Sequence, residues 1–102
     1  MRKIIEGKRY DTETATRIAN YNNGHSPGDF KWIEEDLYRT AKGNWFIHGA
    51  GGAMTSYSQQ DGPNSWSGGQ DIRVLTPTEA QEWLEVHGET TAVEEFFEVE
   101  DA

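Results

Sequence analysis

The sequence predicts an α+β domain: a small antiparallel sheet of four to five strands, one helix after a first hairpin, and one or two C-terminal helices. Three observations carry this. Before Leu75 the apolar residues come in short runs separated by Gly, Asn and Asp, as in brief strands joined by turns. From Thr76 onward the apolar spacing and the cap are those of an amphipathic helix. A chain of 102 residues supports one modest core, and an aromatic content of 12% argues against a disordered chain. Residues 1–102 are therefore read as a single domain with an acidic C-terminal part, 76–102.

Lys3 to Tyr10 reads as two short extended stretches around Gly7, a small hairpin. Asp11 can cap a helix by accepting backbone N–H bonds, and Glu13 complements the helix dipole. Ala15, Ile18 and Ala19 fall at i, i+3 and i+4, which predicts the first helix, stopped at Asn22-Asn23-Gly24. A loop follows, from His25 to Asp29. Phe30 to Thr40 then opens a central hairpin, with a bulge or break expected near Glu35, where Glu34-Glu35-Asp36 interrupts the apolar pattern. Ala41 to Asn44 is its turn, Trp45 to His48 the returning strand, and Gly49 to Gly52 its end. Trp32 and Trp45 are expected to pair across it.

Ser56 to Gln70 is the least regular stretch, with Tyr57 and Trp66 as its large anchors. Asp71 to Leu75 is a last short strand. Thr76, Pro77 and Glu79 form a capping box with Pro at the first helical position, where its missing N–H costs nothing. Ala80, Trp83, Leu84 and His87 share the core face of that helix, and Gly88 ends it. A second short helix starts near Thr91 and carries Val93, Phe96 and Phe97.

Charge is the clearest functional signal. The net charge is −9, from 9 basic and 18 acidic side chains. Residues 1–75 hold all nine basic side chains and nine of the acids, so they balance. Residues 76–102 hold the other nine acids and no Lys or Arg. Glu79, Glu82 and Glu85 recur every three residues, about 4.5 Å apart along a helix axis, and Glu89, Glu94 and Glu95 extend the field. That spacing is of the order of phosphate separation along a nucleic-acid strand. Such a surface repels nucleic acid and attracts cationic surfaces. The bland alternative is a solvated, solubilising face. Trp66 is read as folding back over the small core, with an exposed partner contact as its alternative.

Chemistry is weakly signalled. With no Cys, disulfides, thiolate zinc sites and cysteine nucleophiles are excluded. His25, His48 and His87 lack a metal-binding spacing. Gly49-Ala50-Gly51-Gly52 is not followed by Lys-Ser/Thr, so it is read as a flexible strand exit and not a phosphate loop. Glu34 and Asp36 share a strand face without a nucleophile and base beside them, and the serines from Ser56 to Ser67 lack a nucleophile-elbow context. No catalysis, metal or cofactor is expected; the rival is a small enzyme using His48 with the glycine-rich segment. No apolar run approaches the ~20 residues of a membrane span. The start of the chain lacks the apolar stretch of a signal peptide, so the expected compartment is the cytoplasm.

The strings KIIEGKRYDTETA, LYRTAKGNWFIHGAGGAMTSY, NSWSGG and LTPTEAQEWLEVHG resemble a family of short proteins carried by phages and conjugative elements of Gram-positive bacteria. The resemblance covers roughly Met1 to Gly88 and rests on overall pattern. It implies a mobile-element accessory protein of the anti-CRISPR or wider anti-defence kind, places that cytoplasm in a host bacterial cell, and assigns no functional residues. Together with the charge layout it gives the functional expectation: inhibition by binding. Glu79, Glu82, Glu85, Glu89, Glu94 and Glu95 would occupy the basic nucleic-acid channel of a CRISPR effector or another basic nucleic-acid-binding complex, with Trp66 and Tyr57 as packed contacts. No direct nucleic-acid or membrane contact is expected. The alternative is a protein-interaction or structural module, including a homodimer, whose acid serves solubility.

Overall fold

Trp45, Phe46 and Ile47 are consecutive and all buried, so both faces of the strand that carries them are covered. The computed structural model describes residues 1–102 and shows how. Strands β1 (Arg2–Ile5) and β2 (Lys8–Asp11) form an N-terminal hairpin. β3 (Thr16–Asn22), β4 (Ile33–Arg39) and β5 (Trp45–Gly51) follow, then a small hairpin of β6 (Gln59–Gly62) and β7 (Ser65–Ser67). β8 (Gly69–Leu75) and the helices α1 (Pro77–Val86) and α2 (Thr90–Phe96) complete the chain. The main sheet is antiparallel in the order β3-β4-β5-β8. The α+β class and the antiparallel four-stranded sheet are as the sequence predicts.

The helices cover one face, where Ala19, Leu37, Trp45, Ile47, Ala80, Leu84 and Val93 pack together with Phe96 and Phe97. The N-terminal hairpin covers part of the other, through Tyr10 against Phe46 and Ile72. Tyr10 meets Phe46 edge-on at 5.6 Å, and Tyr38 stacks on Phe46 at 5.1 Å. The hairpin turns at Glu6 and Gly7, both at positive φ (52° and 76°), as a two-residue turn of matching twist requires. The capping box on α1 forms as predicted: the Glu79 N–H donates to Thr76 Oγ1, and the Thr76 N–H donates to Glu79 Oε1.

The first helix is the principal correction. Asp11 does cap a turn, its carboxylate accepting from the Glu13 N–H and its carbonyl from Thr14 and Ala15. The turn goes no further, and Thr16 opens β3. Ala15, Ile18 and Ala19 imitate helical spacing because β3 carries a bulge between Arg17 and Ala19 that skips Ile18. Pairing along β4 and the strand preference of Thr16, Ile18 and Tyr21 outweigh so short a periodic signal.

Three smaller corrections share one cause. β4 pairs with β5 in unbroken register from Ile33↔Gly51 to Arg39↔Trp45, so there is no bulge at Glu35. Trp45 lies opposite Arg39, and Trp32 precedes β4 with its carbonyl accepting from the Gly52 N–H, so the two tryptophans do not pair. Gly49 to Gly51 still belong to β5, which ends at Gly51, later in the glycine-rich stretch than expected. A Cβ at Gly49 would collide with the Tyr57 ring lying over it. The glycine admits a tertiary neighbour there, which local turn chemistry cannot foretell.

Leu84 is fully buried between α1 and the sheet. Leu84→Ala is expected to cost about 2–5 kcal/mol and Thr76→Ala about 1 kcal/mol in urea unfolding. A Leu84→Ala loss as small as that of Thr76→Ala would contradict this packing.

Candidate functional site

The acidic helices come first, because the sequence singled them out. Glu79, Glu82 and Glu85 on α1 and Glu94 and Glu95 on α2 are exposed, and Glu89 is half-buried before α2. The ion pairs of the molecule are Lys3–Asp71, Arg17–Asp36, His25–Asp29 and Arg73–Glu35. None involves a carboxylate beyond Thr76. Glu79 is already engaged by its cap, and its Thr76 backbone bond holds its carboxyl below the usual carboxylate range. Glu85 accepts a long bond from Gln81 (3.4 Å). Glu82, Glu94 and Glu95 have no side-chain hydrogen bond.

These carboxylates do not line one ridge. Glu79 and Glu82 border a cleft beside β8 with Val74, Trp83 and Val86. Glu89 and Glu95 border a second cleft beside β3 with Arg17 and Ile18. β3 and β8 are opposite edges of the sheet, so the acids flank both margins of the helical layer. The hairpin over the far side is net basic, while β4 places Glu34 and Asp36 on that same face of the sheet. The β1–β2 hairpin carries Arg2, Lys3, Lys8 and Arg9 against Glu6 and Asp11. Lys8, Arg9 and Lys42 border a cleft of about 480 Å³, and none of them is in an ion pair. The acids of the C-terminal quarter thus gather with the helices, and the net-basic hairpin lies across the sheet from them.

Of the two aromatic candidates, Trp66 is 56% exposed on β7, so it does not fold back over the core. Tyr57 is 6% exposed and offers a partner little surface. Its position reveals a centre that the sequence reading did not find. Glu35 Oε2 accepts from the Tyr57 hydroxyl and from Arg73 Nη2 at 3.0 Å, while Oε1 accepts from Trp83 Nε1 at 3.1 Å. Arg73 also donates to the Tyr57 oxygen at 3.2 Å and lies over the Tyr57 ring. His87 stacks on Tyr21 at 4.0 Å and meets Trp83 edge-on at 4.5 Å beside this centre. One carboxylate thereby joins β4, the segment before β6, β8 and α1.

The electrostatics of this centre favour fastening. Burial, then the hydrogen bond and charge of Glu35, push the Tyr57 phenol far above its ordinary range. Both oxygens of Glu35 are occupied by donors. The signal available in the sequence was strand parity. Glu35 is two residues from Leu37, so both belong to the helix-covered face, and Gly49 stands directly opposite Glu35.

The remaining candidates are dispersed. His48 Nε2 is 2.8 Å from Gln70 Oε1, and the glycines beside it are strand, so they form no loop around an anion. Glu34 and Asp36 do share a face, both accepting from Asn20 Nδ2. No group of three His, Asp or Glu side chains is arranged to hold a metal ion. No helix is long and apolar enough to cross a membrane. No protein-family model matches the chain, and neither the curated proteins nor the solved structures include a significantly similar one.

A phenol whose folded-state pKa is raised contributes stability that is complete below its ordinary value of about 10 and is lost as pH rises beyond it. Alkaline urea titrations should therefore show stability falling above about pH 10, and Tyr57→Phe should make that fall shallower. Tyr38, whose phenol is also raised, chiefly by burial, adds to the same fall. An unchanged alkaline slope in Tyr57→Phe would contradict the buried phenol–carboxylate contact.

Proposed function

We propose that the protein is a non-enzymatic inhibitor that binds the positively charged nucleic-acid channel of a bacterial defence nuclease through the carboxylates of α1 and α2. A CRISPR effector is the target class favoured by the resemblance to mobile-element proteins. Such channels are cationic because they hold a nucleic-acid backbone, and competing for one takes charge and shape without chemistry. The inhibitor would act in the cytoplasm of the host cell.

The observation that carries this reading is the unneutralised acid. Nine carboxylates follow Thr76 and none has a Lys or Arg partner, although nine basic residues are available in the chain. Like charges this close cost a helix a few tenths of a kcal/mol per pair. Glu82 and Glu85 have the clearest claim to contact, being exposed and outside the capping box. With acids on both margins of the helical layer, the surface suits a groove that embraces the layer better than a flat patch.

The test is target cleavage by a panel of purified CRISPR effectors, with and without the protein. At least one effector is expected to be inhibited, and the inhibition should weaken as salt shortens the screening length from about 8 Å at physiological ionic strength. Glu82→Lys with Glu85→Lys should weaken it by about tenfold or more. If the reversed protein folds and inhibits fully, charge mimicry is wrong and the acid serves solubility.

A further inference from the structure

The largest exposed aromatic side chains lie away from the acidic helices. Phe30 is 67% exposed and Trp66 is 56% exposed. Both border a cleft of about 440 Å³ together with Pro27, Asp29 and Trp32. Its walls are backbone held close by missing side chains: a Cβ on Gly52 would stand 2.5 Å from the Asp29 carbonyl oxygen. The loop from Pro27 to Trp32 therefore sits directly on the end of β5. Two further backbone bonds fix it there, from the Gly52 N–H to Trp32 and from the Met54 N–H to Phe30.

Two features identify the occupant. Phe30, Trp32 and Trp66 take no part in any aromatic pair of the molecule, and no arginine of the chain lies over them; Arg39 and Arg73 sit on other rings. The one charged residue bordering the cleft is Asp29, whose carboxyl is held below the usual carboxylate range chiefly by its hydrogen bond from the Lys31 N–H. Three aromatic side chains and a carboxylate, whose ion-pair partner His25 lies outside the lining of the cleft, complement a positively charged group. A guanidinium fits better than an ammonium, because it is planar, weakly hydrated and stacks on rings while its N–H groups reach a carboxylate.

We propose that this cleft is a docking site for an arginine side chain presented by a basic segment of a partner protein. It uses none of the helical carboxylates, so it stands or falls apart from the channel-mimicry reading. Trp66 and Phe30 would provide the stacking surface and Asp29 the counter-charge. Oδ1 of Asp29 accepts from the Lys31 N–H and Oδ2 contacts His25 at 3.4 Å, so the arginine would share an oxygen with one of them.

The test uses the full chain labelled with 5-fluorotryptophan, its four fluorine resonances assigned with single Trp→Phe variants. It is titrated with a short arginine peptide and with the same peptide carrying neutral citrulline. The arginine peptide is expected to shift the Trp66 and Trp32 resonances and leave Trp45 and Trp83 in place. It should bind roughly fivefold more tightly than the citrulline peptide, the upper end for a cation–aromatic contact at an exposed site. Trp66→Ala, at an exposed position, and Asp29→Asn, which keeps an acceptor for the Lys31 N–H, should each remove most of that preference. Glu82→Lys with Glu85→Lys should leave the Trp66 shift intact. Equal binding of the two peptides, or a preference that survives Trp66→Ala and Asp29→Asn, overturns the proposal. So does a Trp66 shift abolished by the helix reversals alone.

Discussion

Phe46 and Ile47 sit side by side in β5, and both are essentially closed to solvent. Neighbouring residues of a strand point to opposite faces, so this pair obliges the sheet to be covered twice. The helices close over Ile47 and the N-terminal hairpin closes over Phe46. The chain supplies an acidic cover for one face and a basic one for the other. An asymmetry along the sequence is thereby converted into an asymmetry in space, with the sheet as the partition. The functional reading depends on that partition.

The acids of this protein serve two different ends, and surroundings decide which. Glu35 is drawn inward by strand parity and surrounded by a phenol, a guanidinium and an indole N–H. Its charge is spent on holding four segments together, and its donors compensate the loss of water around it. The glutamates of α1 and α2 keep their hydration and find no cation. Arg73 is the basic residue best placed to approach α1, and it is committed to Glu35. Arg73 borders the cleft of Glu79 and Glu82, but its ion pair is made with Glu35, so no carboxylate of α1 has a direct cationic partner.

What could be read from the sequence was what is decided within a few residues. The capping box at Thr76 and Glu79, the core face of Ala80 and Leu84, and the turn from Ala41 to Asn44 depend on neighbours in the chain, and they formed as expected. The misreadings all depend on distant partners. Ile18 looked helical because a bulge against β4 mimics a helical step. Glu35 looked like a strand breaker because the groups that donate to it come from up to 48 residues away. Gly49 looked like an exit because Tyr57, which needs the missing Cβ, is not its neighbour in sequence. The acidic site residues were legible as unpaired charges, but their division between two sheet edges was not, since it follows from where α2 returns across the helical layer. The burial of Tyr57 and the exposure of Trp66 likewise turn on tertiary neighbours.

By this charge layout the helical face carries a negative potential that the hairpin face lacks. Paramagnetic relaxation of backbone amides by a cationic and by a neutral nitroxide of the same size measures this directly, residue by residue. The cationic probe is expected to be enriched, relative to the neutral one, along α1 and α2, and depleted around Lys8, Arg9 and Lys42. Equal enrichment over both faces of the sheet would contradict it.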